Sequence, residues 1–276
     1  MFLTLMYITN DPAVALIAEK NGVQRIWIDL ETLGKEKRQH NIDSVKSHHT
    51  INDIETISGL LTVSELLVRI NPIHPGSKSE IDKVISAGAD MIMLPMWKTP
   101  EEVKDFLDMV NGRVKTTLLL ETKEAVDNID EVLAMGGFDE IHIGLNDLHL
   151  SYGLSFMFEL LSNGIVEMLC DKFRKAGIPY GFGGIARIGE GTLPAEKIIM
   201  EHYRLGSTRA ILSRSFCNCE TVNSIGEIEK IFSENMRKLH CFENLLWKTG
   251  KEEFEVNRAL IKKSVETIVS KIQHNN

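Results

Sequence analysis

Cysteine is scarce in this chain, with four in 276 residues, at positions 170, 217, 219 and 241. Cys217-Asn218-Cys219 is the only close spacing, and no second pair completes a zinc pattern. A disulfide-built miniprotein is excluded, and the thiols read as structural rather than as a metal or redox site. Basic excess is missing too. Lys and Arg number 31 against 39 Asp and Glu, a formal charge of −8, so nothing drives counterion release from duplex nucleic acid and none is expected as a partner. No run reaches the ~18 apolar residues of a membrane span. The N-terminal stretch lacks a basic leading region and turns polar after Ile8, unlike a signal peptide. A reducing cytoplasm is the expected location. Internal repeats and low-complexity tracts are absent. What remains is an ordinary globular composition, 43% hydrophobic and 25% charged, in a chain long enough to bury a large core.

Within it, short apolar runs alternate with longer amphipathic stretches. Strands are predicted at Phe2–Ile8, Arg25–Asp29, Glu65–Ile70, Met91–Leu94, Thr116–Leu120, Glu140–Ile143, Pro179–Phe182 and Arg209–Leu212. Most are rich in Ile, Leu, Val and Met without strict alternation, as strands covered on both faces are. Helical patterns fall between them, at Pro12–Asn21, Ile51–Leu61, Ser79–Ala87, Pro100–Val110, Glu124–Ala134, Phe156–Ala176 and Ala195–Leu205. Thr99-Pro100-Glu101-Glu102 supplies an N-cap, a first-turn proline and acids against the helix dipole. Ala87-Gly88-Ala89 and Ala176-Gly177-Ile178 read as helix, C-cap glycine and next strand.

Eight strands alternating with helices predict an α/β fold, a (β/α)8 TIM barrel of residues 1–220. The main rival, a doubly wound sheet, lacks its G-x-G-x-x-G after the first strand. Two further helical segments, about Ile225–Leu246 and Glu252–Gln273, make residues 221–276 a C-terminal helical extension. Its apolar positions Ile228, Ile231, Met236, Leu239, Phe242 and Leu246 need a surface to cover, either the barrel itself or a second subunit, and a homo-oligomer is expected. A basic stretch from Gly34 through Lys35, Lys37, Arg38 and His40 to Lys46, His48 and His49 forms a long loop on the catalytic face.

Functional groups of such barrels cluster at the carboxyl ends of the strands. Strand two ends in Ile28-Asp29-Leu30-Glu31, strand three in Val68-Arg69-Ile70-Asn71, strand five in Leu120-Glu121-Thr122, and strand six in Ile143-Gly144-Leu145-Asn146-Asp147. Each acid taken alone is as well explained as a helix cap. Together, Glu121 and Asp147 on neighbouring strands suit one hard divalent cation whose other positions fall to water and substrate oxygens. Arg69 offers a fork for a carboxylate. Such a set can chelate a 2-oxo acid and stabilise its enolate.

These residues carry a resemblance. Ile28-Asp29-Leu30-Glu31, Val68-Arg69-Ile70-Asn71, the run Gly88 to Met96 followed by Thr99-Pro100-Glu101-Glu102, Glu121-Thr122, Asn128-Ile129-Asp130-Glu131-Val132 and Ile143-Gly144-Leu145-Asn146-Asp147-Leu148 with Gly153 resemble the class II pyruvate aldolase and citrate lyase β-subunit (HpcH/HpaI) family. The resemblance spans roughly Arg25 to Gly153. It implies Glu121 and Asp147 as ligands of Mg2+ or Mn2+, Arg69 on the carboxylate and enolate of pyruvate or oxaloacetate, and Asp29 near the metal waters, in a site completed by a neighbouring subunit. Two positions depart from the aldolase pattern. Thr32 stands where a histidine acid/base follows the acids, and Leu119 where a glutamine precedes the glutamate.

The expectation is therefore a metal-dependent carbon–carbon lyase acting on a 2-oxo acid and an aldehyde, the latter sugar-derived in one version. Arg69, Asp29, His48 and His49 are its catalytic candidates. Arg69, Gly144, Asn146, Lys35 and Arg38 are its substrate-binding ones. A threonine hydroxyl has no useful pKa near neutrality, so either another group replaces the missing histidine, with His40, His48 and His49 as the candidates, or the reaction differs. The alternatives are a citryl- or malyl-thioester lyase-like or phosphoenolpyruvate-related enzyme, or a non-catalytic barrel that binds a 2-oxo acid. Beyond the rim, His74, His149, Arg187 and Arg214 are possible neighbours of the site, His142 is placed within or behind the barrel, and Met91, Met93 and Met96 are expected to fill it. The Gly181–Gly184 run allows close backbone approach to a ligand.

Overall fold

The computed structural model describes residues 2–34, 48–219, 221–222 and 224–274. Strands β1 (Thr4–Ile8), β2 (Arg25–Asp29), β3 (Glu65–Arg69), β4 (Met91–Leu94), β5 (Lys115–Leu120), β6 (Glu140–Ile143), β7 (Tyr180–Ile185) and β8 (Arg209–Leu212) follow one another around a closed barrel. All pairs are parallel, and β8 returns to β1 through Thr4 opposite Arg209 and Met6 opposite Ile211. The predicted (β/α)8 barrel is thus the fold.

The intervening helices include α1 (Pro12–Lys20), α2 (Ile51–Ser58), α3 (Ser77–Ser86) and α4 (Pro100–Val110). Asp11 caps α1 by accepting from the Ala13 and Val14 amides, and Thr99 with Glu102 forms a capping box on α4. Where one helix was predicted at 124–134 there are two, α5 (Lys123–Asp127) and α6 (Ile129–Met135). They part at Asn128, whose side-chain amide donates to the Lys98 carbonyl. The predicted 156–176 helix likewise divides into α8 (Glu159–Ser162) and α9 (Ile165–Ala176), because Gly164 turns the chain at φ 87°. A short helix absent from the sequence prediction, α7 (Leu145–Ser151), starts immediately after β6. Then α10 (Ala195–Leu205) leads into β8. Strand β7 extends past its predicted end to Ile185, and its glycines let it lie close on β8: a Cβ on Gly181 would meet the Arg209 carbonyl oxygen at 2.3 Å.

The absence of strict alternation has a simple cause, since both faces of the strands are covered. The outward face and the helices form one continuous apolar core, and the lumen holds a smaller one of Met6, Trp27, Leu67, Met91, Met93 and Leu119. Met91 and Met93 are the barrel filling expected of them. Within a strand, alternate residues share a face, so β2 presents Arg25, Trp27 and Asp29 in succession to the lumen. β3 likewise presents Glu65, Leu67 and Arg69. Each strand contributes a charge at the bottom, an apolar plug in the middle and a second charge at the top.

At the bottom the charges meet across the barrel. Arg25 bonds Glu65 at 2.9 Å and forks onto Glu140 at 2.5 and 3.1 Å. Arg209 reaches the same Glu140 at 2.5 Å, and Lys115 pairs with Glu65.

The C-terminal helices α11 (Ile225–Leu246) and α12 (Lys251–His274) pack on their own barrel, α11 against α1 and α10, and α12 against α8 and α10. The fully buried Glu243 accepts from the Leu3 amide at 2.8 Å and from the Tyr203 hydroxyl at 3.1 Å. Asn257 donates to the Lys197 carbonyl and to Glu201. Among the described residues no helix is long and apolar enough to cross a membrane.

Candidate active site

One pocket of about 320 Å³ opens at the carboxyl ends of the strands. Asp29, Arg69, Glu121, Gly144, Asn146 and Asp147 all line it, so six of the sequence-predicted residues from four strand ends converge there.

Arg69 is the best-fixed group. Its Nε donates to Asp29 Oδ1 at 2.9 Å and Nη2 to Oδ2 at 2.8 Å, while Nη1 lies 3.3 Å from Glu31. The guanidinium sits 5.2 Å from the centre of the Trp27 ring, a cation–π arrangement. Burial works against its charge, but Asp29 and Glu31 outweigh it and hold its pKa above the usual arginine value. The orientation follows from register, since Asp29 and Arg69 are paired positions of β2 and β3.

Glu121 is buried at the end of β5. Its Oε1 accepts the Met96 amide at 3.0 Å. Met96 achieves this with φ +54°, a left-handed conformation unusual for a side chain of this size and of the kind found at functional sites. Across from it, a Cβ on Gly144 would meet Glu121 Oε2 at 2.9 Å, so the glycine keeps the carboxylate accessible. Burial first, and then Asp147 and Glu31, raise the Glu121 pKa well above the ordinary carboxylate range, with Arg69 opposing. Asp147 enters on the first turn of α7, the helix the sequence reading missed.

The pocket wall is completed by Tyr7, Ile8, Leu119, Met157, Gly183, Gly184, Ser213, Arg214 and Cys217, among others. The glycines of β7 do approach the pocket, and Gly183, at φ +52°, leaves room for Leu145, whose Cδ1 lies 2.6 Å from where a Cβ would be. Trp27, Tyr7 and the Met96 amide were not anticipated. For Trp27 a signal existed: it stands two residues before Asp29 and so shares its face.

The family model described as HpcH/HpaI aldolase/citrate lyase matches residues 4–160, more than half of the chain. The chain belongs to this family. Among curated relatives, a hydroxypyruvate/pyruvate aldolase of Roseovarius nubinhibens is 23% identical, over 54% of this chain and 70% of its own length. A 2-keto-3-deoxy-L-rhamnonate aldolase of Escherichia coli is 26% identical over 42% of this chain, and the match spans only 55% of that relative. The crystal structure of an HpcH/HpaI aldolase from Desulfitobacterium hafniense superposes with a TM-score of 0.59 at 16% identity, covering 77% of this chain and 86% of that one, which supports the barrel itself.

The other predicted residues divide. His49 reaches the site edge, its Nδ1 accepting the Asp29 amide at 2.9 Å. His48 is exposed. Lys35, Arg38 and His40 lie outside the described residues. Thr32 donates through its amide to Asn71 Oδ1 at 2.9 Å, as does the Leu33 amide. His74 faces Glu80 at 3.0 Å rather than the pocket. Arg187 bonds the Ser215 carbonyl and pairs with Glu190, whereas Arg214 lines the pocket. His149 is buried with Nδ1 3.2 Å from the Leu145 carbonyl oxygen. His142 is buried in the barrel as expected, 3.2 Å from the Gly183 carbonyl oxygen.

Proposed function

We propose that this member of the HpcH/HpaI family is a divalent-metal-dependent carbon–carbon lyase that stabilises a pyruvate-type enolate and cleaves or forms a bond to an aldehyde. The observation that carries the reading is the placement of the clamped Arg69 in one small pocket with Glu121 and Asp147. The donor set fits a hard cation, because two carboxylates raise each other's cost of ionisation unless a positive charge offsets them. Among the described residues no three His, Cys, Asp or Glu side chains form a metal cluster, so Glu121 and Asp147 would be the protein ligands and oxygens of water and substrate the rest. Mg2+ or Mn2+ bound there would supply Lewis acidity toward the keto and carboxylate oxygens of the 2-oxo acid.

The chain's own groups do the remainder. A guanidinium has five N–H donors, and Asp29 and Glu31 engage only part of that set, so Arg69 retains donors for a substrate carboxylate and for the charge of the enolate. Asp29 and Glu31 act as positioning residues that hold Arg69 in a single orientation. Gly144 and Asn146 border the substrate, and Leu119, Met157 and Leu212 give the pocket apolar walls that limit water. With its Nδ1 accepting the Asp29 amide, a neutral His49 ring carries its proton on Nε2. It is held at the site edge and is proposed as the group that moves protons, with uptake at Nδ1 requiring the ring to leave the Asp29 amide. The proposed setting is the cytoplasm; the proposed homo-oligomer is supported by the exposed Leu245, Val256 and Leu260 of the C-terminal helices and by Trp247 just after α11.

A second reading, a thioester lyase of the citryl or malyl type, is favoured by one observation. Asn71 is spent on the Thr32 and Leu33 amides, in a loop that offers no histidine at position 32.

Oxaloacetate decarboxylation tests the core machinery, because it needs only chelation and enolate stabilisation. The expected result is activity with Mg2+ or Mn2+ that falls at least ~100-fold in Arg69→Ala and in Glu121→Ala, followed by metal-dependent turnover of pyruvate with aldehydes. Metal binding unchanged by Glu121→Ala removes the site assignment. Bound metal without decarboxylation moves the reading to a thioester substrate.

A further inference from the structure

At the pocket wall beside β1 and β8 stands one thiol, with a second next to it, and the proposed chemistry uses neither. Cys217 is buried and lines the pocket, while Cys219 is half-buried, and their Sγ atoms are 3.7 Å apart. Tyr7, the last residue but one of β1, lies between barrel and thiols. Its hydroxyl has two acceptors in reach, the Cys217 carbonyl at 3.0 Å and Cys219 Sγ at 3.1 Å, and its one proton turns to the sulfur when that is the thiolate. The arrangement is held from behind, with the Tyr7 ring edge-on to Phe232 at 5.0 Å and Phe216 against the same Phe232. Both cysteines are reduced in this structure.

We propose that Cys217 and Cys219 form a peroxide-reactive dithiol beside the active-site pocket, with Cys219, behind the wall, as the attacking sulfur and the pocket-lining Cys217 as the resolving one. The thiolate of Cys219 attacks one oxygen of a hydroperoxide. The O–O bond breaks, the second oxygen leaves as water or alcohol after taking a proton, and Cys219 becomes a sulfenic acid. The Cys217 sulfur then attacks the Cys219 sulfur, its proton and the sulfenic hydroxyl leave as water, and the Cys217–Cys219 disulfide forms. Two thiols are oxidised, one peroxide is reduced, and no other co-reactant is needed.

The neighbouring groups favour this order. Hydrogen bonding from Cys217 lowers the Cys219 pKa, burial opposes, and Tyr7 lowers it further, to about 7, within the range of reactive thiols. The Cys217 pKa moves up, chiefly because its proton is engaged by Cys219. The remaining cysteines differ in kind. Cys170 is buried and held well above the ordinary thiol value by its burial, and Cys241 is exposed on α11 with no thiol of its own to resolve it. The sequence alone favoured structural thiols, since a C-x-C spacing says nothing about Tyr7 or the pocket. Drawing Cys217 toward Cys219 moves a pocket-lining group and takes the sulfur partner from Tyr7, so oxidation changes the wall the substrate meets.

The test is alkylation mass spectrometry on the full-length protein titrated with hydrogen peroxide, with Cys241 as internal reference. Both pair thiols fall on one tryptic peptide, Ser215 to Lys230. The expected result is loss of two alkylatable thiols from that peptide, with the mass of two hydrogens, before Cys241 reacts. In Cys217→Ser, Cys219 should stay trapped as a dimedone-reactive sulfenic acid. In Tyr7→Phe, oxidation of the pair should slow by at least about fivefold as the thiolate fraction falls. Oxidation of the pair no faster than Cys241, or a Cys217→Ser variant with no dimedone adduct at Cys219, overturns the proposal. The readout needs no substrate or metal, so it stands or falls separately from the lyase reading.

Discussion

The two ends of the barrel lumen are built from the same strands and the same residue types, yet their charge balance is opposite. At the bottom, Arg25, Arg209 and Lys115 share Glu65 and Glu140, so cations outnumber the acids they touch. At the top, Arg69 alone is clamped by Asp29 and Glu31 while Glu121 and Asp147 stand nearby, and Arg214 at the rim is the other arginine of the pocket lining. A paired network with few spare donors closes and stiffens its end. An excess of carboxylate around one arginine leaves a net negative charge at its end, which is what the proposed cation would offset. The lesson is that arginine and carboxylates in a barrel lumen do not by themselves indicate a site; the residual charge does.

The comparison is open to direct attack. The largest effect is expected from Glu140→Ala, which leaves Arg25 with Glu65 alone and takes the carboxylate from Arg209 in a buried setting. Breaking a buried pair from one side costs roughly 3–5 kcal/mol, to be read in urea or thermal unfolding, with ligand affinity of the surviving folded protein unchanged. A comparable loss of affinity in that variant breaks the distinction between the two ends.

Acid should test the buried histidines next. Burial lowers the His142 pKa to about 4, the Gly183 carbonyl opposes, and Arg209 and Arg25 add to the lowering. His202, stacked on Phe182 at 3.8 Å, is lowered to about 3 by burial and then by His142. Below the ordinary histidine value of ~6.5 the unfolded chain binds protons that the folded one refuses, so stability rises with pH in that window and is lost as pH falls from about 6.5 toward 4. The expected loss is on the order of a few kcal/mol, seen as a falling Tm across that range and reduced in His202→Asn. A flat profile in the wild type contradicts the neutral, buried assignment.

The smallest effect is the most discriminating. Glu121→Gln removes one charge from the acid-rich end and should raise stability by about 1 kcal/mol in chelator, while abolishing any gain in Tm from added Mg2+ or Mn2+. A variant that loses stability instead places Glu121 with the structural carboxylates below.

Much of this was legible in the chain. The apolar runs gave the barrel because strands covered on both faces must be apolar on both, and the acids and arginine directly after them marked the rim that lines the pocket. Other features were not. The charge that opens five strands, Arg25, Glu65, Lys115, Glu140 and Arg209, is visible in the sequence, but nothing in it says that Arg25 of β2 spans the lumen to Glu140 of β6. Helix α7 was missed because a seven-residue segment is too short to show a period. His49 was a candidate with no address until its ring met the Asp29 amide.

The sequence by itself determined which residues stand at strand ends, since local patterning and the alternation of strands with helices settle that. Only the tertiary structure decided which of those ends meet, which charges cancel and which remain, and that two thiols and a tyrosine meet beside the pocket. Strand patterning is a property of neighbours in sequence, whereas register, closure of the barrel and net charge at a point are properties of groups brought together across it.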